Sequence, residues 1–398
     1  MRALPWSPQD FAPGLAIELL VMQPTPFCNI ACDYCYLAER DAVRFMSVDV
    51  VRAAIRNARD SGLLGRELDI VWHAGEPLAA PVSFYERAFD IIDEEVGTTV
   101  PVRHSMQTNG MLIDERWCEL FVRYGVHVGV SVDGPAGIHD RHRRTRDGRP
   151  THARVMQGIE RLQRAGVDFD ALAVVTDASL ERADDIIDFF LDSGIVRAGF
   201  NVDEQEGIRT GSSLTGADSR VRAFFTRVFE RAADVPERLR IREMHEAVGR
   251  VATGLPIVTV AGRPLPANPQ VLPFATTTVD CEGRFSCFSP ELIDQTHADY
   301  GSFVFGDVLN DRMIDALASD RFAAVFDDIL AGCDACRAAC PYFSLCGGGA
   351  PVNKLNEGGS FRIAETRYCR QTIQTPIELA MAALEAELLP EHRPLTID

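Results

Sequence analysis

The stretch CNIACDYCY (residues 28–36) brings three cysteines, Cys28, Cys32 and Cys35, close together just after the apolar, strand-like run 15–22. Thiolates this close can hold three corners of a four-iron cluster, a soft-ligand site of the kind cysteine favours. Such a cluster has one open iron, which can bind a small molecule and pass it an electron. The alternative is a zinc site, but zinc usually takes four ligands in paired spacing, and no fourth ligand lies nearby in the sequence.

Composition and charge exclude several classes of protein. The 398-residue chain is 46% hydrophobic and 25% charged, which suits a globular protein with a large core and two or three domains. The net charge of −18 argues against a nucleic-acid partner, because phosphate binding requires a basic surface. We see neither a signal peptide nor a transmembrane stretch, and therefore expect a cytoplasmic protein without a membrane partner.

Ten of the eleven cysteines fall in two groups far apart in the sequence. A secreted disulfide scaffold would be shorter and would carry an export signal, so metal binding or redox chemistry is the better interpretation. Cys118 stands alone in a helical stretch and is expected to be a buried packing thiol.

Apolar runs alternate with amphipathic helical stretches along the first half of the chain. The predicted strands are 16–22, 68–72, 100–106, 127–132, 168–175 and 197–202. This repeat indicates parallel strands with right-handed crossovers, and six units are too few for a closed eight-stranded barrel. The predicted fold class is α/β, a partial (β/α)6 TIM-like barrel with functional residues at the C-terminal ends of its strands.

Four regions are predicted along the chain. They are a barrel (14–205), a helical bridge with a Pro-rich linker (206–275), an auxiliary cluster domain (276–370), and a C-terminal helix and tail (371–398). The third region combines short strand-like pieces with a cysteine-dense loop, which is typical of a small metal-stabilised domain.

The second predicted strand ends in Gly75-Glu76-Pro77. Glycine permits close backbone approach, proline stiffens the turn, and free carbonyls at a strand end can accept hydrogen bonds from an ammonium group. An ordinary βα turn is the alternative interpretation.

Polar residues also follow the third and fourth predicted strands. Gln107 and Asn109 follow the third strand and Ser131 the fourth, and all three suit hydroxyl or carboxylate groups of a ligand. Arg143, in the basic loop after them, is a candidate partner for a ligand carboxylate, although such a loop can also be merely solvated.

The C-terminal cysteines include a set of four, Cys336, Cys340, Cys346 and Cys369, that would close a cluster completely. Cys336 and Cys340 are one helical turn apart, and Pro341 ends the predicted helix directly after them. A fully ligated cluster would be an electron relay or a structural staple, with zinc as the alternative.

Residues 15–205 and 276–370 resemble the radical S-adenosylmethionine (SAM) enzymes that carry a SPASM domain, a C-terminal extension with auxiliary clusters. The resemblance rests on the cysteine loop, QTNG (107–110), SVDGP (131–135), IHD (138–140) and CP…CGG (340–348). It implies that SAM binds the open iron of a 4Fe-4S cluster at Cys28, Cys32 and Cys35. It also implies that the GEP turn receives the methionine ammonium and that the polar strand-end residues line the same pocket.

Further cofactors and partners follow from the same resemblance. It implies an auxiliary 4Fe-4S cluster at the four C-terminal cysteines and raises the question of another at Cys281, Cys287 and Cys333. A low-potential donor such as flavodoxin or ferredoxin would supply electrons, and the substrate would be a ribosomally synthesised precursor peptide.

Two departures separate the chain from the sulfatase maturases within this family. Phe288 stands where those enzymes place a catalytic aspartate, and Ala350 stands where they place a cluster cysteine. The stretches FNVDEQEG (200–207), FSPEL (288–292) and CPYFSLCGGGAP (340–351) look instead like the GRRM-type peptide maturases, which are relatives of the cyclophane synthases.

The expected activity is therefore hydrogen abstraction from Cβ of a peptide residue, followed by an intramolecular cyclophane-type crosslink. Asp203 and Glu204, with Glu206 beside them, are the candidate catalytic acids, and a solvated acidic loop is the alternative interpretation. A formylglycine-forming or other peptide-oxidising enzyme, and a non-catalytic iron–sulfur electron-transfer adaptor, remain open as alternatives.

Overall fold

Six parallel strands form the centre of the computed structural model, which describes residues 5–98 and 100–388. The strands are β1 (Ile17–Met22), β2 (Leu64–Trp72), β3 (Val102–Thr108), β4 (His127–Ser131), β5 (Phe169–Val175) and β6 (Arg197–Val202). Each strand pairs in parallel with the next one along the chain. The predicted α/β class and its six parallel strands are confirmed.

Helices cross over between these strands and bury their apolar faces against the sheet. They are α1 (Val48–Asp60), α2 (Val82–Val96), α3 (Glu115–Tyr124), α4 (Ala136–His142), α5 (His152–Ala165) and α6 (Ala183–Asp192). Local signals set their bounds, as in α3, where the Asp114 side chain accepts a hydrogen bond from the Trp117 N–H and Gly125 (φ 61°) ends the helix. None of the helices in the described ranges is both long and apolar enough to cross a membrane.

The sheet continues beyond the six strands into the cysteine-rich half of the chain. Four short strands, β7 (Arg240–Ile241), β8 (Thr276–Val279), β9 (Arg284–Cys287) and β10 (Gly306–Asp307), complete the order β10-β9-β8-β1-β2-β3-β4-β5-β6-β7. Because β8 pairs in parallel with β1, residues that follow position 276 are brought beside the strand that leads into the cysteine loop. The domain boundaries stay a prediction.

Two stretches differ from the sequence expectation. The predicted Pro-rich linker contains a hairpin, Ile257–Val260 with Arg263–Pro266, which pairs with Phe11–Ala12 far away in the sequence. The helix predicted to end at Pro341 is the C-terminal part of a 20-residue helix, α9 (Asp320–Ala339), whose weak amphipathic pattern gives little indication of its length.

The remaining helices complete the C-terminal half. The longer ones are α7 (Asp218–Ala233), α8 (Arg242–Thr253), α10 (Pro351–Gly358) and α11 (Thr375–Leu388), and short helical turns lie at Phe343–Cys346 and Arg367–Cys369. The predicted tail after residue 388 lies outside the described residues.

Candidate active site

The cysteine loop follows β1 and is held by hydrogen bonds between its backbone and Arg40. Cys28 N–H donates to the Arg40 carbonyl (3.0 Å), and the Arg40 guanidinium donates to the Cys32 carbonyl (2.9 Å). Cys28 and Cys32 are buried and Cys35 is half-buried, yet all three line one cavity. The loop is therefore held in place with its thiols at the cavity wall.

The thiols fit a cluster better than a single ion. Burial raises the pKa of Cys28 to about 12 and that of Cys32 to about 11, so neither thiolate is stable without positive charge nearby. In the described residues, no three Cys, His, Asp or Glu side chains converge as a single metal ion would require. Three thiols around a cavity suit a cubane cluster, which takes its ligands at separate corners.

Glu76 ties the ends of β2 and β3 together. One carboxylate oxygen accepts hydrogen bonds from the Leu78 N–H (2.9 Å) and the Thr108 hydroxyl (2.7 Å), and the other accepts from the Asn109 N–H (2.8 Å). Burial raises the pKa of Glu76 to about 7, although these hydrogen bonds oppose the rise. The side chain thus builds the turn, and the backbone around it is what remains for a ligand.

Gly75 lets this turn pack directly against the segment that precedes the cysteine loop. Its φ is +58°, and a Cβ there would lie 2.4 Å from the Thr25 carbonyl oxygen and 2.5 Å from that of Phe27. The Glu76 N–H also donates to the Phe27 carbonyl (2.7 Å). Pro77, next in the turn, is buried. The turn and the loop therefore hold one another in position.

The predicted polar strand-end residues meet along the same cavity. Gln107 Nε2 donates to the Ser131 hydroxyl (3.0 Å), and Asn109 Nδ2 donates to the Asn29 side chain (2.7 Å). Asn109 Nδ2 also lies 3.8 Å from the Cys28 sulfur. The structure thus brings these residues together with the cysteine loop.

Arg143 lines the cavity but is already paired. Its guanidinium donates two hydrogen bonds to Asp133, at 3.0 and 3.1 Å, and stands over the Tyr34 ring. Asp133 is 1% exposed and also accepts from the Tyr34 hydroxyl (2.6 Å), which fixes the cysteine loop to the end of β4. The sequence analysis quoted Asp133 only within a motif and missed this structural role.

The cavity has a volume of about 430 Å³ and lies at the C-terminal ends of the strands. Acidic residues of the loop after β6 form the wall that completes it, namely Asp203, Glu204 and Glu206. Glu291 joins them from the segment after β9. Sequence analysis missed Glu291, because only the β8–β1 pairing brings that segment to the site.

The three glutamates and Asp203 differ in their pKa values and in the hydrogen bonds that their carboxyl groups accept. Burial raises the pKa of Glu204 to about 8, and it raises the pKa values of Glu206 and Glu291 as well. Glu204 accepts one hydrogen bond from Asn353 (2.6 Å). Asp203 instead accepts from the Ser213 N–H (2.7 Å) and is bound into its own loop. Glu204 is therefore better placed than Asp203 to exchange a proton with a ligand.

The C-terminal thiols gather at a second place, between α9 and the glycine run that follows it. Cys333 and Cys336 on α9 approach the carbonyls of Gly347 and Gly348. Burial raises the pKa of Cys369 to about 12, and the neighbouring thiols of Cys346 and Cys340 raise it further. Five cysteines thus lie in one region, one more than the four predicted, and their thiols influence one another electrostatically.

Cys281 and Cys287 do not join that group or each other. Cys287 pairs with Thr277 in the β8–β9 hairpin, whereas Cys281 lies in the turn at its other end. Five residues, 282–286, lie between the two positions, and the last three belong to the strand, so about 10 Å of extended chain separates Cys287 from the turn. Cys333 stays beside Cys336 and Cys346. The predicted third set of Cys281, Cys287 and Cys333 is therefore not brought together, because the hairpin register holds its first two members apart.

Comparison with known proteins identifies the family. A model of the Radical SAM superfamily matches residues 22–190. The chain is also 40% identical over 378 residues, 93% of each protein, to the uncharacterized protein sll1766 of Synechocystis sp.. The chain belongs to the radical SAM superfamily. It is an enzyme, and a non-catalytic adaptor is thereby disfavoured.

This radical SAM enzyme also matches curated relatives over part of its length. The serine-type anaerobic sulfatase-maturating enzyme of Bacteroides thetaiotaomicron is 35% identical over 196 residues, which are 48% of this chain and 46% of that one. The cysteine-type enzyme of Clostridium perfringens (strain 13 / Type A) is 28% identical over 178 residues, again about half of each protein.

Solved structures share the fold over nearly the whole chain. Native anSMEcpe with bound AdoMet and Cp18Cys peptide superposes with a TM-score of 0.73 at 19% identity, covering 94% of this chain and 99% of that one. Streptococcus suis SuiB bound to precursor peptide SuiA gives a TM-score of 0.59 at 15% identity, covering 89% and 76%. At these identities the likeness establishes the fold.

Proposed function

We propose that this radical SAM enzyme is a peptide maturase that crosslinks two side chains of a ribosomally synthesised precursor. The observation that carries the proposal is one cavity of about 430 Å³ lined both by the three loop cysteines and by Glu204, Glu206 and Glu291. A radical source and a set of proton acceptors thus face the same space. The solved structures of this fold with bound peptides support a peptide as the substrate.

The cofactor site is assigned to residues that already meet in the structure. Cys28, Cys32 and Cys35 would hold a 4Fe-4S cluster with an open iron, and the backbone at Gly75, which lines the cavity, would receive the methionine ammonium of SAM. The Pro77 carbonyl already accepts a hydrogen bond from the Tyr85 hydroxyl (2.8 Å), so Pro77 would stiffen the turn instead. These residues would hold the cluster and SAM side by side, and the pair would supply the chemistry of hydrogen-atom abstraction. Glu76 maintains the turn through its three hydrogen bonds.

Polar side chains around the cavity would orient the rest of SAM. Gln107, Asn109 and Ser131 present amide and hydroxyl groups, each already fixed by a neighbour. Arg143 contributes positive charge beside Cys32 and would act on the SAM carboxylate from its place on Asp133. Their shared role is to hold the ligand still and to exclude water.

The acidic wall would accept the proton that crosslinking releases. Forming a bond between Cβ and an aromatic ring carbon removes one hydrogen atom, one proton and one electron from the peptide. Burial raises the pKa of Glu204 to about 8, so its ionised form, a minor fraction at neutral pH that grows as pH approaches 8, would be the base that takes this proton. Burial, together with negative charge on Glu291 and Glu204, raises the pKa of Glu206, so these carboxyl groups would ionise one after another, and Asp203 would position the loop.

An auxiliary 4Fe-4S cluster at Cys336, Cys340, Cys346 and Cys369 would accept the electron. The backbone N–H groups of Gly348 and Gly349 donate to the Cys346 sulfur, as donors around cluster sulfurs do. We assign this region to a SPASM-type domain and expect a flavodoxin or ferredoxin to supply the electron that starts the reaction.

A formylglycine-forming sulfatase maturase is the second candidate, and the partial matches to such enzymes favour it. Phe288 argues against it. This residue stands where those maturases place an aspartate, and here its ring is fully buried and stacked on Phe326. The position therefore offers no proton acceptor.

Two measurements test the proposal. Anaerobically reconstituted wild type should hold about 8 irons per chain and release 5′-deoxyadenosine from SAM. Crosslinking and serine oxidation both remove two hydrogens, so peptide products are treated with a hydrazine and fragmented. A product that is inert to hydrazine and resists cleavage between the joined residues supports crosslinking. A hydrazone identifies formylglycine and overturns the proposal, as does full iron loading without 5′-deoxyadenosine release.

A further inference from the structure

The single lysine of this chain lies against the C-terminal thiols. Lys354 is on α10, whereas the other 39 Lys or Arg positions of the sequence all hold arginine. The Lys354 side chain is buried, with 4% of the residue exposed. Its ammonium donates to the Gly332 carbonyl (3.0 Å) and to the Cys336 sulfur (3.2 Å). The chain therefore departs from its use of arginine at one buried position that touches a predicted cluster ligand.

No carboxylate in the described part of the chain lies within 4.0 Å of this ammonium, and its hydrogen bonds go to a carbonyl and a thiol. A buried ammonium is unfavourable unless an anion compensates it. A four-iron cluster held by four thiolates carries net negative charge and would be that anion. The burial of Lys354 is thus a second observation, besides the thiols, that points to a cluster at this place.

The space around the ammonium explains why arginine is absent. A Cβ at Gly332 would lie 3.1 Å from Lys354 Nζ and 2.0 Å from the Phe361 carbonyl oxygen, so the missing side chain leaves room for a compact group only. A guanidinium is planar and carries five N–H donors, whereas an ammonium is a small point charge with three. Lysine fits between α9 and α10 where arginine would be crowded.

We propose that Lys354 tunes the auxiliary cluster by raising its reduction potential. The inference rests on the auxiliary cluster proposed above. A positive charge that donates to a cluster sulfur stabilises the reduced state, which carries one more electron, more than the oxidised state. Lys354 is a positioning residue in this account, and it makes the C-terminal cluster a better acceptor of the electron that the substrate loses.

The test uses the full-length Cys28/Cys32/Cys35→Ala variant, so that only the C-terminal cluster contributes to the spectrum. Iron is counted and the midpoint potential is measured by redox titration followed by electron paramagnetic resonance. We expect Lys354→Met to lower the reduced-to-oxidised ratio at fixed potential about tenfold, which is about 59 mV for a one-electron couple. Lys354→Arg, which keeps the charge, should recover part of this shift.

Leu355→Met is the matched control, because it changes a buried apolar neighbour on the same helix and should leave the potential unchanged. Full iron with an unchanged potential in Lys354→Met would overturn the proposal. If that variant loses its iron, Lys354→Gln, which keeps a donor without the charge, is titrated instead. Loss of iron in both variants would overturn tuning in favour of a purely structural role. Absence of iron in the parent variant would instead reject the auxiliary cluster itself.

Discussion

The two cysteine regions differ in what their thiols face. The loop at residues 28–36 places three thiols on the wall of the cavity of about 430 Å³, beside the strand ends that line it. The five C-terminal thiols lie among α9, a glycine run and Lys354, and none of them is among the residues that line that cavity. Cys333 and Cys336 are buried, whereas Cys340, Cys346 and Cys369 are half-buried. The first group of thiols faces a cavity with room for a ligand, whereas the second faces a glycine run, a buried ammonium and its own members.

This difference separates two kinds of iron chemistry that cysteine content alone does not distinguish. An open site with three thiols leaves a coordination position for a reactant, whereas a closed site with four or more thiols saturates its metal. The first arrangement suits catalysis at the cluster, and the second suits electron transfer. The predictions below test that division, beginning with the largest expected effect.

Replacing Cys28, Cys32 and Cys35 together by Ala should abolish cleavage of SAM, because the ligands of the proposed open cluster are lost. The variant should also lose about 4 of the wild-type irons. Iron counting and 5′-deoxyadenosine release measure both effects. Cys118→Ser, which changes a buried thiol of α3 far from either group in the sequence, should retain its iron and its activity. Persistent 5′-deoxyadenosine release by the triple variant would contradict an open catalytic cluster.

Cys369→Ala tests the converse, namely whether SAM cleavage survives the loss of the C-terminal cluster. It should lose about 4 irons while still cleaving SAM when a chemical reductant supplies the electron, because the open cluster is untouched. Peptide product should fall much more than 5′-deoxyadenosine does. Loss of SAM cleavage in proportion to iron would mean that the two regions do not function separately.

Asp133→Asn should destabilise the catalytic region. The substitution removes the negative charge that compensates buried Arg143, and breaking such a buried pair costs about 3–5 kcal/mol. Anaerobic urea unfolding of iron-free protein measures the change in the free energy of unfolding. Asp147→Asn is the control, because its pair with Arg149 is exposed and should contribute about 1 kcal/mol or less. Equal effects at both pairs would contradict the assigned role of Asp133.

Glu204→Gln should change how stability depends on pH. Burial raises the folded-state pKa of Glu204 to about 8, so the folded protein holds this proton more tightly than the unfolded chain does. The resulting stabilisation is complete below the ordinary glutamate pKa and is lost as pH rises through about 8. Since glutamine cannot ionise, the melting temperature of the variant should rise relative to wild type as pH increases from 4.5 to about 8 and should level off above that.

The control for this pH effect is Glu119→Gln, on the exposed face of α3. Its melting temperature should follow that of wild type at every pH. A Glu204→Gln curve that also runs parallel to wild type would show that Glu204 is not buried in a neutral form.

Local pattern was enough to predict the strands and the cysteine loop. The apolar runs that became β1 to β6 are each confirmed as parallel strands, because buried parallel strands are continuous apolar segments. In the loop at 28–36, the spacing of the three cysteines is enough to indicate a cluster site. The polar residues after β3 and β4 meet at the cavity because carboxyl ends of parallel strands share one edge.

Other parts of the site depend on contacts between distant residues. Glu291 reaches the cavity only because β8 pairs with β1, and Cys281 is separated from Cys287 by the register of one hairpin. The hairpin at 257–266 was read as a linker, because its partner strand lies near the opposite end of the chain. No local signal contains such pairings.

By itself, the sequence of this protein determined an α/β chain with parallel strands, a three-cysteine loop and a second group of thiols. Only the tertiary structure decided which groups share a space. It placed the glutamates opposite the first cysteines, paired Arg143 with Asp133, and enclosed Lys354 beside Cys336. The physical reason is that spacing in sequence specifies ligands within one loop, whereas burial and charge compensation arise only when separate strands and helices pack together.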